Sequence, residues 1–181
     1  MLLIVELIGA QIMKKNFILL VLPLLIGCSD ISVGKPGLDF FHRLNMQKIS
    51  AHELAQDIPD SSIAAGEYVY VPVYSSIYYR DSSKVYNLTV TLGIRNIDTV
   101  NDIYIQEINY NNSRGESVKK FLSRPIKVNP LETFDLVIAE DDISGGIGAN
   151  FIVKWVSKSS VQSPLIEAVM ISIRQGVGLS F

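Results

Sequence analysis

The sequence predicts an all-β domain: an immunoglobulin-like antiparallel β-sandwich of about seven strands, preceded by a signal peptide and a tether. Three observations predict it. From Glu67 onward apolar residues recur with a period of two, the spacing of a strand with one buried and one wet face. Short clusters of Asn, Asp, Ser, Gly and Pro separate these runs. The single cysteine, Cys28, lies well ahead of the runs. No intrachain disulfide can join the sheets, so an apolar core must hold them.

The first expected strand is residues 68–73, and Pro72 marks it as a sheet edge because proline cannot donate to the ladder. The clearest is 86–95, where Tyr86, Leu88, Val90, Leu92 and Ile94 alternate with Asn87, Thr89, Thr91, Gly93 and Arg95. Residues 96–101 supply a turn and 103–110 the next strand. Residues 111–115, Asn-Asn-Ser-Arg-Gly, read as a hairpin turn from which 116–122 returns. Pro125 and Pro130 bracket a stiff connector. Residues 133–139 direct Phe134, Leu136 and Ile138 to one side. After a glycine-rich loop, Phe151, Val153 and Trp155 alternate with Asn150, Ile152 and Lys154. Residues 165–174 have helical spacing at Ile166, Val169, Met170 and Ile173, but their β-branched content and the preceding Pro164 favour a strand.

Ahead of the strands the pattern changes. Lys14-Lys15, the apolar run 17–26 and Gly27 are the parts of an export signal. Leu25-Ile26-Gly27-Cys28 looks like a bacterial lipobox, with cysteine first after the cut. The expectation is a signal peptide over residues 1–27 whose true start is Met13, followed by lipidation of Cys28. The apolar run, about ten residues, is too short for a membrane core that needs roughly 20. Two acyl signals suffice for stable anchoring, so the first expected partner is the cell membrane or outer membrane, through acylated Cys28.

Residues 28–65 read as a flexible tether. A short helix is expected within it, opened by a Ser50–Glu53 capping box and closed by Pro59. Both histidines, His42 and His52, fall in this tether and are expected to face solvent.

Net charge is −2 with no basic block, which argues against a nucleic-acid partner. Gly-x-Ser-x-Gly, phosphate-loop and His-Glu-x-x-His patterns are absent, and no histidine follows His52. No catalytic residue, metal site or cofactor is therefore expected. Two groups are binding candidates. The acidic glycine loop carries Asp141, Asp142, Gly145, Gly146 and Asn150; it reads as a structural turn, a partner-contacting loop or a set of Ca²⁺ ligands. Tyr70, Tyr74 and Tyr78, with Tyr68 and Tyr79 beside them, pair apolar rings with polar tips and suit a sugar or a protein surface. The expected function is a non-enzymatic, lipid-anchored envelope lipoprotein that contacts an envelope protein or a polysaccharide. The alternative is a small-ligand or Ca²⁺-binding envelope module built on the acidic loop.

Three blocks also resemble a known family: Tyr70-Val71-Pro72-Val73-Tyr74-Ser75-Ser76-Ile77-Tyr78, Leu92-Gly93-Ile94-Arg95-Asn96, and Gly145-Gly146-Ile147-Gly148-Ala149-Asn150-Phe151-Ile152-Val153-Lys154-Trp155. The family is a set of bacterial lipoproteins catalogued as a domain of unknown function, number three-one-two-four in that series. The likeness runs from about Tyr68 to Phe181, and the glycine–Asn–Phe–Trp block is its most specific part. The resemblance implies an exported or envelope-anchored β-rich domain and brings no activity with it.

Overall fold

The computed structural model describes residues 36–174 and 177–180; the expected signal peptide, residues 1–27, and the expected lipidation site Cys28 lie outside the described residues. Helix α1 (Pro36–His52) and a 3-10 turn (Asp60–Ser62) come first. Strands follow as β1 (Ala65–Val73), β2 (Ser76–Tyr79), β3 (Asp81–Asn87), β4 (Thr89–Arg95), β5 (Ile103–Asn111) and β6 (Ser117–Lys120). Then come β7 (Ile126–Val128), β8 (Thr133–Ile138), β9 (Ala149–Ser157), β10 (Leu165–Arg174) and β11 (Val177–Ser180). Among the described residues, no helix is long and apolar enough to cross a membrane.

Strand alternation sorts the side chains into an antiparallel all-β sandwich. One five-stranded sheet has the order β1-β9-β5-β6, with β7 also paired to β5. A four-stranded sheet has the order β11-β10-β4-β8, and β2-β3 form a separate hairpin. Val71, Val73, Phe151, Val153 and Trp155 face inward from the first sheet and are buried. Val90, Leu92, Ile94, Phe134, Leu136 and Ile138 are buried on the second. Each such side chain contributes on the order of 1.5–3 kcal/mol by leaving water. In β5 the inward set changes phase, from Ile103 and Ile105 to Ile108 and Tyr110. A bulge between Ile105 and Glu107 makes the change, since one extra residue flips the following side chains across the sheet.

Three expectations are corrected. Residues 86–95 are not one strand. Leu88 is fully buried and donates its N–H to the Ser75 carbonyl at 2.9 Å, which separates β3, paired with β2, from β4 in the four-stranded sheet. The connector between Pro125 and Pro130 contains β7, because Ile126 and Val128 bury their side chains beside β5.

The third correction concerns the tether, which is structured over residues 36–58. Its helix ends at His52 instead of opening at Ser50. Asn45 explains much of the docking. Its amide donates to the Val137 carbonyl at 2.7 Å and accepts from the Val137 N–H at 3.0 Å, pairing with β8 as a neighbouring strand would. Ile49 and Ile58 are buried, and Lys48 pairs with Asp135. The Leu54 N–H then donates to the Pro125 carbonyl at 2.9 Å. Helix α1 thus packs against β8 and β7 and blunts a sheet edge that would otherwise offer unpaired backbone groups. His52 is half-buried in this contact, contrary to expectation, whereas His42 is exposed.

Candidate functional site

The acidic glycine loop is tied down from both sides. Ser113, in the β5–β6 turn, donates its N–H and hydroxyl to the Gly145 carbonyl at 3.0 and 3.1 Å, and its oxygen accepts from the Gly148 N–H at 2.9 Å. Ser75, between β1 and β2, donates its N–H and hydroxyl to the Gly146 carbonyl, each at 3.0 Å. Gly146 has φ +72°, a conformation that suits glycine. Gly145 lies against the Tyr110 hydroxyl with no room for a side chain. Burial raises the Tyr110 pKa above its usual value, and the nearby Asp142 charge adds to the rise.

The loop's acids do not converge. Glu140 accepts from the Ser172 hydroxyl at 3.3 Å, while Asp142 accepts from the Ser144 N–H at 3.1 Å and from its hydroxyl. Among the described residues, no three His, Cys, Asp or Glu side chains group as metal ligands. Asn150 sits apart from the acids, buried in β9, and accepts from Asn111 Nδ2 at 3.0 Å.

The tyrosines divide between elements. Tyr68 and Tyr70 stand on the outer face of β1, opposite Lys154 and Ile152 of β9, with Glu107 and Asn109 of β5 next across. Tyr68 donates to Glu107 Oε1 at 3.1 Å, and Lys154 Nζ lies 5.3 Å from its ring centre. Asn109 donates to the other Glu107 oxygen at 3.1 Å. Tyr70 remains 60% exposed, its ring free to be covered. Tyr74 is in the β1–β2 connection, and Tyr78 and Tyr79 belong to the β2–β3 hairpin, where Tyr79 stacks on Tyr86 at 4.6 Å. Pro72 lies in β1, which among the described residues pairs only with β9 and is an edge strand, as read from the sequence.

A cleft of about 250 Å³ opens where the first turns of α1 meet β6 and the end of β8. Asp39 and His42 line it from α1, Lys119 from β6, and Asp142 from the acidic loop. Lys119 Nζ lies 3.3 Å from His42 Nδ1 and 4.7 Å from the Phe121 ring centre. Burial lowers the Lys119 pKa, with the Asp142 charge opposing.

Residues 66–181 match the model of a family described as "Protein of unknown function (DUF3124)". The chain belongs to this family. No curated protein and no solved structure matches the chain. The DUF3124 region begins in β1 and takes in both sheets, the tyrosine face and the acidic loop; α1 precedes it. The cleft therefore joins DUF3124 residues, Lys119 and Asp142 among them, to four residues of the preceding helix, Asp39, Phe41, His42 and Asn45. Sequence reading found Asp142 but not Lys119. A lysine in a short, largely exposed strand carries no local sign that a histidine 77 positions earlier will meet it.

Proposed function

We propose that this DUF3124 protein is a lipid-anchored lipoprotein of the bacterial cell envelope and acts as a non-catalytic binding module. Cys28 carries the acyl chains, and the outer face of the five-stranded sheet contacts an envelope polysaccharide. The observation that carries the binding half is the exposed Tyr70 ring. It lies beside a row of polar side chains, Lys154, Glu107 and Asn109, that are already ordered by hydrogen bonds and a ring contact. Aromatic faces cover the apolar C–H surface of a sugar, and neighbouring amides and charges serve its hydroxyls. Ordered side chains lose little entropy when such a ligand arrives. The lipobox-like residues ahead of Cys28 support the location.

Co-sedimentation of the full chain with insoluble bacterial cell-wall polysaccharide tests the binding half. Wild-type protein is expected to sediment, and Tyr70→Ala to weaken retention roughly tenfold, about 1.4 kcal/mol. Val85→Ala, an exposed change on the β2–β3 hairpin, is expected to behave as wild type. Wild type left in the supernatant, or Tyr70→Ala retained like wild type, defeats the sheet-face reading.

A further inference from the structure

The cleft between α1, β6 and the end of β8 is separate from the sheet face, and its chemistry is mixed. Lys119 is half-buried, and no carboxylate lies within ion-pair distance of it among the described residues. Its Nζ lies 3.3 Å from His42 Nδ1. Lys119 brings an ammonium group to the wall of this space. Two carboxylates, Asp39 and Asp142, share the walls with it. Asp142 uses one oxygen, Oδ1, for Ser144, and its Oδ2 accepts no hydrogen bond from the described residues. Phe41 and Ile138 add apolar surface.

Each simpler occupant meets an opposing charge. A bare anion drawn to Lys119 would face Asp39 and Asp142, and a bare cation drawn to the carboxylates would face Lys119. A molecule carrying both charges meets both. The volume also limits size, since about 250 Å³ is below the usual range, roughly 300–1,000 Å³, for larger ligands.

We propose that this cleft binds a small zwitterion, an α-amino acid with a short apolar side chain. Its carboxylate accepts from Lys119 Nζ, its ammonium donates to Asp142, and its side chain lies toward Phe41 and Ile138. Because α1 supplies one wall, docking of the helix completes the site. The proposal does not depend on the polysaccharide reading, which concerns another face.

Isothermal titration of the full chain with alanine, acetate and ethylammonium tests it, together with Lys119→Met and Asp142→Asn. Both substitutions are near-isosteric, and the asparagine keeps the oxygen that accepts from Ser144; circular dichroism checks that each variant folds. Saturable binding of alanine is expected, with acetate and ethylammonium at least tenfold weaker. Each substitution is expected to weaken alanine at least tenfold. Absence of saturable alanine binding by wild type overturns the proposal. Acetate binding as tightly as alanine, with Asp142→Asn unchanged, overturns it in favour of a plain anion site. The wild-type comparison of the three probes decides even if a variant fails to fold.

Discussion

A Cβ built on Gly145 would stand 1.9 Å from the Tyr110 hydroxyl oxygen and 2.8 Å from the Ala149 Cβ. Tyr110 cannot step aside easily, because it is fully buried and its ring centre lies 5.0 Å from that of Phe151. Gly145→Ala is therefore expected to cost about 3 kcal/mol and to lower the thermal midpoint by roughly 10 °C. Gly148 makes the contrast. Its Cβ would meet Ser113 at 3.6 Å, ordinary contact, so Gly148→Ala is expected to stay within about 0.5 kcal/mol of wild type. Thermal melts of the two variants check this, and equal midpoints would show that the Tyr110 contact does not constrain the loop. The glycine run itself was legible in the sequence. Which glycine is obligatory was not, because the atom that forbids a side chain comes from β5, in another part of the chain.

Helix α1 is held to the sandwich by polar contacts that titrate. Burial lowers the His52 pKa, but the Lys48 carbonyl at 2.7 Å and Glu132 at 3.0 Å outweigh it and raise the value above 6.5. Burial raises the Glu132 pKa, but Asn129 and His52 outweigh it and hold the value below 4.5. The signs follow from linkage. The His52 contribution is fully present below pH 6.5 and is lost as pH rises through its raised folded value; the Glu132 contribution is present above 4.5 and is lost as pH falls through its lowered one. Docking of α1 is expected to be tightest between about pH 4.5 and 6.5. Hydrogen exchange of α1 amides should thus be faster at pH 8 than at pH 5.5 after correction for intrinsic rates, and His52→Gln should remove the difference. Unchanged protection between the two pH values would show that the pair does not hold the helix. The helix was only partly legible. The capping-box signature at Ser50 is a local pattern that falls in the last turn of α1. The face that docks uses Asn45, Lys48 and His52 beside Ile49, so it shows no apolar stripe to find.

The proposed anchor concerns the whole chain, since one modified thiol would place every binding surface at a membrane. Expression of the full chain in a bacterial host with a fatty-acid probe is expected to label wild type and not Cys28→Ser, with membrane association lost in the variant. Label on neither protein would remove the lipobox reading, and the location would have to be argued afresh.

Alternating side chains carry their own geometry, because successive residues of a strand point to opposite faces whatever the strand pairs with. That is why Phe134, Leu136 and Ile138, or Phe151, Val153 and Trp155, could be assigned to the core from the chain alone, and with them the all-β class. The break at Leu88, the bulge in β5 and the small strand β7 depended on pairing partners far away in sequence. The cleft depended on them most. Asp39, His42, Lys119 and Asp142 come from three separate stretches, and the packing of α1 on the sandwich is what makes them neighbours. Periodicity is a short-range property that a sequence displays directly, whereas proximity between distant segments exists only once the core has closed.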